Sequence, residues 1–536
     1  MKMKGLRVLP PGWGTLSLEG TRRSIVRPDA SPRGPETDLP RGAAINGTIA
    51  TLILISAALL AAGVFASKLS SRFGIPALLL FLVTGMLAGS EGPGGIPFDN
   101  PVLAMAVGSV ALFLILFDGG LQTDLKNLSR AVAIRGALLA TAGVMLTAGI
   151  VGAFAVFVLD LPLIDGLLLG AILSSTDAAA VFSVLRSRSI GLPPRLRTLI
   201  EFESASNDPT AVFLTVTLIA FATGDAPTGA LVPFAFALKL VGGGAIGWLS
   251  GKLIVRILNR IDLEHDGLYP VLTLAAAGVV FGLAEVVGAS GFMAVYIAGL
   301  AMAGRVFAHR RSLLRFHEGV AWLMQIVMFL ILGLLVFPSE LLGNALPGLA
   351  ISAVLMLIAR PAAVMVLMLG SDFPVRERLM VSWVGLRGAA PIILATFPMV
   401  AGLATAGSIF NTVFFVVVFS VLIQGPTAGA MARLLKVDVP MESPERLPIE
   451  IDADAAMGMT VARLQVAPGA TADKRRLLDV GGPDMPLVIL MQRQGWYFIP
   501  TGTTVLAGGD ELYVLGSAEM IEAMRPLACD AIRCDL

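Results

Sequence analysis

Charged side chains are scarce in this sequence. Asp, Glu, Lys and Arg supply 14% of its 536 residues, against about 25% in an ordinary soluble domain. A chain so poor in charge cannot be one ordinary globular protein. Cysteine is scarcer still: Cys529 and Cys534 are the two present, both near the C-terminus. Their spacing fits neither a zinc site nor a disulfide framework. The three histidines, His265, His309 and His317, fall in stretches that read as polar loops, so no resident metal is expected. A formal net charge of +1 leaves no overall field to hold nucleic acid. No nucleophile–base pair or cofactor fingerprint stands out, so neither an enzyme nor a bound cofactor is expected.

What the chain has in abundance is apolar length. Hydrophobic residues make up 56% of it, and continuous apolar runs recur from Asn46 to Leu435. A bilayer core of about 30 Å takes about 20 such residues in a helix. Membrane β-barrels need short alternating segments, and these runs do not alternate. The pattern predicts an all-α polytopic membrane protein with about thirteen spanning segments. They lie near 46–66, 74–90, 101–120, 136–157, 163–184, 198–220, 229–251, 268–286, 289–304, 319–337, 345–369, 379–402 and 408–433.

Alternate loops are basic. They carry Lys68 and Arg72, then Lys126, Arg130 and Arg135, then Arg186, Arg188, Arg195 and Arg197, and the series continues to Arg376 and Arg378. The opposite loops (91–100, 158–162, 221–228, 287–288, 338–344 and 403–407) hold no Lys or Arg, and several hold Glu91, Asp99, Asp160, Asp225 or Glu340. The positive-inside rule then puts the C-terminus in the cytoplasm and the N-terminus in the periplasm, across a cell inner membrane. Residues 1–44 are rich in Pro, Gly and Arg, lack an apolar stretch, and read as a disordered extension rather than a signal peptide. Their basic residues conflict with a periplasmic position, so either this tail crosses or the assigned start is too early.

The expected membrane domain covers 45–435. From 440 to 536 the composition changes. Short strands are expected at 459–466, 486–493, 496–499 and 511–515, with turns at Pro468-Gly469, Gly481-Gly482-Pro483 and Gly508-Gly509-Asp510, and a helix from Ala518. This reads as a small cytosolic α+β domain for binding or regulation.

Ionisable residues inside spanning helices are costly, about 2.5–3.5 kcal/mol on insertion scales, and are candidates for function by default. Four places stand out. In the fifth segment, Ser174-Ser175-Thr176-Asp177 offers hard oxygen ligands suited to an alkali cation, unless Asp177 snorkels to the cytoplasmic face. In the sixth, Glu201 through Pro209 holds three acids. Glu203 and Asn207 share a helix face, with Asp208 100° further round. In the eleventh, Arg360-Pro361 sits among apolar neighbours and needs a buried carboxylate partner, which the sixth segment can supply. In the twelfth, Gly385, Arg387, Gly388 and Pro391 suggest an interrupted helix lining a cavity, or a tightly packed helix whose Arg387 is structural. The fifth segment has no matching Gly or Pro beside Asp177. Lys239 stays unassigned, and Asp118 reads as a capping or funnel residue.

Taken together, Leu116 through Leu121, Ser175 through Phe182, Glu203 through Pro209, Ala359-Arg360-Pro361 and Trp383 through Pro391 resemble the NhaP-type cation–proton antiporters of bacteria, and among them the potassium/proton antiporters of the cell-volume-regulation type. The resemblance implies a homodimer built on inverted repeats, in which segments five and twelve unwind and cross. It implies cation and proton binding at Thr176, Asp177, Asn207 and Asp208, and a structural ion pair between Glu203 and Arg360. Asn207 before Asp208 is similar to electroneutral members. Asp177-Ala178 departs from the Asp-Pro of many sodium members and looks like the potassium members. The C-terminal stretch, with Pro500 through Asp510, resembles the TrkA-C regulatory subdomain and implies a small ligand, for example a nucleotide. Potassium members often carry a further C-terminal domain that this sequence does not reach, so regulation is expected to differ. The expected function is exchange of K+ for H+ by competition at the Asp208 carboxylate, within membrane lipid. A sodium/proton antiporter of the same fold is the runner-up. A gated potassium channel lacks its filter motif here.

Overall fold

A computed structural model describes residues 50–65 apart from 52, residue 68, residues 76–224 apart from 126, residues 232–440, and residues 459–528 apart from 481, 483 and 484. The expectations for residues 1–44, Arg72, Lys126, Asp225, Cys529, Cys534 and most of the Gly481-Gly482-Pro483 turn lie outside the described residues.

Lipid offers no hydrogen bonds to the backbone, so the apolar runs close theirs internally as helices. In chain order these are α1 (Ile53–Phe65), α2 (Ala77–Ala88), α3 (Pro101–Gln122), α4 (Arg130–Leu159), α5 (Leu163–Ile172) and α6 (Ala178–Ser187). There follow α7 (Pro194–Thr223), α8 (Val232–Leu258), α9 (Leu268–Val286), α10 (Gly291–Ala303), α11 (Arg310–Leu334) and α12 (Ala345–Leu367). The last three are α13 (Val375–Trp383), α14 (Ala389–Val400) and α15 (Ala406–Leu434). A helix or a broken pair of helices lies on each expected range. Among the described residues, eight helices reach spanning length and apolarity as single elements.

Two segments are broken. The fifth stops at Ile172 and resumes at Ala178, and the twelfth stops at Trp383 and resumes at Ala389. The breaks belong to a recurring series. A π turn interrupts α4 at Leu139–Gly143 and α12 at Leu355–Ala359. A proline lies inside α7 (Pro209) and inside α15 (Pro426). The order π turn, break, internal proline thus appears twice, seven segments apart. An odd offset reverses the direction of travel, which is the geometry of an inverted repeat.

Small residues let these helices touch backbone to backbone. A Cβ on Gly120 of α3 would collide with the Tyr296 carbonyl of α10, and one on Gly299 of α10 with the Phe117 carbonyl of α3. His317 corrects the expectation of a polar loop: it is buried inside α11, with Nε2 2.8 Å from Thr273 Oγ1 and its ring edge-on to Phe117. The loop assignment failed because the basic stretch before it is the first part of a helix that begins at Arg310.

The loop between α6 and α7 forms a short strand, β1 (Ile190–Gly191). It pairs antiparallel with β2 (Val439–Pro440), the segment that follows α15. Beyond it, β3 (Thr460–Gln465), β4 (Leu487–Arg493), β5 (Trp496–Phe498) and β6 (Glu511–Gly516) make a four-stranded antiparallel sheet in the order β3-β6-β4-β5. The helix α16 (Ala518–Ala528) packs Ile521 and Met524 against Leu464, Met491, Leu512 and Val514 of that sheet. These strands fall within two residues of the expected ones. The turns are held by charge: Asp510, buried, takes two bonds from Arg493 at 2.6 and 2.7 Å and the Ala507 N–H at 2.7 Å. Outside the membrane segments, Asp473 accepts the Gly469 and Gly508 N–H groups, and the Gly469 bond foremost holds its carboxyl below the usual aspartate value.

Candidate ion-binding site

The site grows out of the two breaks. Each leaves backbone groups without a partner one turn away, and the breaks cross so that one serves the other. The Asp177 N–H donates to the Leu386 carbonyl at 2.8 Å. Arg387 Nη1 donates to the Ser174 and Ser175 carbonyls at 2.9 and 2.6 Å. The signs agree with the helix ends: Asp177 caps the N-terminus of α6, accepting the Ala180 N–H at 3.1 Å, while Arg387 covers the carbonyl end of α5.

Onto this crossing α7 lays its polar face. Ser204 Oγ accepts the Ala178 N–H at 2.9 Å and donates to the Thr176 carbonyl at 2.8 Å. Asn207 Nδ2 donates to Thr176 Oγ1 at 2.6 Å and to Glu203 Oε1 at 3.1 Å. Glu203 also takes both Nη atoms of Arg360, at 3.0 and 2.9 Å, with each residue less than 5% exposed. Ser175 Oγ donates to Asp208 Oδ1. Asp208 is buried and pairs with no Lys, Arg or His among the described residues. A cavity of about 650 Å³ reaches it, with Thr176, Asp177, Ser204 and Gly388 in its wall.

Charge counting gives the site its character. Asp177, Glu203 and Asp208 cluster with two guanidinium groups, that of Arg360, paired with Glu203, and that of Arg387, bonded to the Ser174 and Ser175 carbonyls. The ionised cluster is therefore one positive charge short, a deficit that one proton or one monovalent cation removes.

The family described as "Sodium/hydrogen exchanger, transmembrane" matches residues 54–434. This chain belongs to the sodium/hydrogen exchanger family. The TrkA-C domain family matches residues 461–528. Within the family, the chain is 44% identical over 413 residues to the K(+)/H(+) antiporter NhaP of Alkalimonas amylolytica, covering 77% of this chain and 71% of that one. It is 42% identical over 497 residues to the K(+)/H(+) antiporter NhaP2 of Shewanella sp. (strain MR-4), covering 90% and 84%. The structure of the sodium proton antiporter MjNhaP1 from Methanocaldococcus jannaschii at pH 8 has the same fold, with a TM-score of 0.63 and 24% identity over 72% of this chain and 99% of that one.

Within this exchanger fold, the sequence-named residues divide. Thr176, Asp177, Asp208 and Gly388 line the cavity. Asn207 is fully buried behind it and ties Thr176 to Glu203. Gly385, Arg387 and Gly388 lie in the unwound stretch between α13 and α14, as expected of an interrupted helix; Gly388 lines this cavity, and Gly385, Arg387 and Pro391 do not. Arg387 is 1% exposed and bonds carbonyls, so its role is the structural one. Gly385 packs on Arg360, where a Cβ would lie 2.9 Å from Nε. Pro391 lies buried in the first turn of α14. Lys239 is exposed on α8, 5.8 Å from the Phe213 ring, away from the cavity. Sequence reasoning missed Ser420 and Gln424 of α15. Ser420 Oγ accepts the Arg387 N–H at 3.3 Å and donates to Gln424 at 2.6 Å, and Gln424 Nε2 donates to the Trp383 carbonyl at 2.8 Å. Two polar residues four apart in an apolar helix were the available signal.

Proposed function

We propose that this protein is an electroneutral K+/H+ antiporter in which one K+ and one proton compete for the Asp208 carboxylate. The observation that carries the reading is Asp208 itself, a carboxylate that lines the cavity and has no ion-pair partner among the described residues, in a cluster short of one positive charge. A proton and a cation cannot both fill that deficit without leaving an excess charge out of water, which is costly. Exchange then follows if the core moves as a body and exposes the site to each side in turn. Asp177, Thr176 and Ser175 supply further oxygens toward the cation. Glu203 and Arg360 hold Asn207 and the core helices in register. The names of the relatives at 42–44% identity support potassium as the cation.

We place the protein in a cell inner membrane as a homodimer, with the N-terminus periplasmic and the TrkA-C domain cytoplasmic. That domain binds a small ligand and regulates transport. The pairing of β2 with β1 supports the coupling, because β1 lies directly between α6 and α7, the helices that carry Asp177 and Asp208.

The test is proton flux in everted vesicles with K+, Na+, Rb+ and Li+ supplied separately. K+ is expected to collapse an imposed pH gradient without setting up a membrane potential. A response to Na+ and not K+ makes the protein a sodium/proton antiporter. A K+ potential without proton movement makes it a channel, and either result overturns the proposal.

A further inference from the structure

Away from the ion site, a cationic cluster sits where α8 and α10 end together. Glycines set its geometry. A Cβ on Gly243, Gly247 or Gly251 of α8 would collide with the carbonyl of Ser290, Ala294 or Ala298 in turn, so this stripe of α8 lies directly on α10. One residue further on, about 100° round the helix, Gly247 is followed by Trp248 and Gly251 by Lys252, and Arg256 continues the new stripe. Lys252 stands inside the helix, well before its end at Leu258. Its ammonium lies over the Trp248 ring, 2.9 Å from the ring centre. Asn259 ties this end of α8 to the loop after α10, donating to the Val306 carbonyl at 3.2 Å and accepting the Ala308 N–H at 3.0 Å. Arg305 thereby joins the stripe, and the charges of Arg305 and Arg256 both act on Lys252. None of the three cations makes an ion pair among the described residues, and the nearby loop acid Asp266 faces His309 at 3.8 Å instead. Beside them Trp248, Leu249, Leu253 and Val306 are exposed.

We propose that Lys252, Arg256 and Arg305, with the Trp248 ring beneath, form a headgroup site for one anionic phospholipid in the leaflet on the basic-loop side of the membrane. Three like charges gathered at one point repel one another, and an anion removes that repulsion. Guanidinium groups take phosphate oxygens two at a time, and the lysine adds a compact third charge. The exposed apolar side chains beside the cluster call for acyl chains. A phospholipid answers both needs at once, whereas a free phosphate answers only the first. Basic residues are common in the loops of this side. That bias does not account for a lysine inside a helix, laid on an aromatic ring and joined by arginines from two different elements. A lipid held here steadies the seam between α8 and α10. The site lies apart from Asp208, so the deciding measurement is lipid binding and does not require transport.

The experiment uses the purified, delipidated full-length protein in an uncharged detergent. Phosphatidylglycerol, phosphatidylcholine, glycerol phosphate and inorganic phosphate are added separately, with bound lipid counted by native mass spectrometry and stability read as melting temperature. Phosphatidylglycerol is expected to bind and to raise the melting temperature, and the other three to do neither. Near a charged lipid each cation contributes about fivefold in binding, so the combined variant Lys252→Gln, Arg256→Gln, Arg305→Gln is expected to lose most of the affinity. The charge-keeping variant Lys252→Arg, Arg256→Lys, Arg305→Lys is expected to bind nearly as wild type does. So is a control that neutralises three exposed arginines of other basic loops, Arg130→Gln, Arg188→Gln, Arg376→Gln. Equal loss in the cluster variant and the control shows general surface attraction and overturns the site. Undiminished binding in the cluster variant also overturns it. Stabilisation by inorganic phosphate or glycerol phosphate equal to that by phosphatidylglycerol makes the occupant a soluble anion and overturns the lipid assignment. Without lipid, the cluster variant is expected to melt no lower than wild type, because repulsion has been removed. A lower value shows that the cations hold the fold itself and overturns the proposal.

Discussion

The N–H of Asp177 donates to the carbonyl of Leu386, at 2.8 Å. This one bond joins two chain breaks 209 positions apart in sequence and explains why either can exist inside a membrane. An unwound segment exposes backbone groups that lipid cannot satisfy. Here the breaks satisfy each other, and Arg387 closes the remaining carbonyls of Ser174 and Ser175. The unwinding brings Thr176 and Asp177 into the wall of the cavity that Asp208 of α7 also lines.

The crossing leaves no room at Gly388. A Cβ there collides with the Asp177 carboxylate. Gly388→Ala is expected to displace that side chain at a cost of about 1–3 kcal/mol, the usual range for overpacking. Exchange activity should fall at least tenfold while the protein still inserts. Normal exchange with an unchanged melting temperature refutes the close contact.

Glu203 and Arg360 are each almost wholly buried and bonded at two points. Removing either partner leaves a buried charge, at about 3–5 kcal/mol. Glu203→Ala and Arg360→Ala are each expected to lower the melting temperature strongly, and the double variant by less than the sum. Additive effects in the cycle show that the two are not coupled.

Asp208→Asn keeps the shape of the site and removes the group that holds either proton or cation. Cation-dependent proton flux is expected to vanish in a well-inserted variant. Ser175→Ala, which removes the hydroxyl donated to Asp208, is expected to shift the pH profile of exchange with smaller loss of maximal rate. Retained flux in Asp208→Asn sinks the assignment.

The pairing of Ile190 with Pro440 and of Gly191 with Val439 makes truncation informative. Ending the chain after Pro440 keeps β2, and exchange is expected to persist while control by cytosolic pH or nucleotides is lost. Ending it at Lys436 removes the pairing and is expected to lower the rate as well. Equal behaviour of the two truncations shows that the strand pair carries no coupling. Complete loss of exchange in the longer one, if inserted, makes the TrkA-C domain part of the transport machinery.

The sequence by itself determined the membrane class, the positions of the helical segments, the small C-terminal sheet and two acidic residues, Asp177 and Asp208, that the fold brings to the cavity. Those properties follow from local facts: apolar length, strand-like runs between glycine turns, and the expense of a charge in lipid. Glycines around Arg387 marked the second break. The first break has no such mark, because Leu173 through Asp177 unwinds only where a second unwound segment meets it. Tertiary structure alone decided that Arg387 is a clamp rather than a cavity residue, and that Ser420 and Gln424 support it. It also buried His317. Which hydrogen bond a polar side chain makes depends on partners far away in sequence, and in lipid the absence of water makes that choice obligatory.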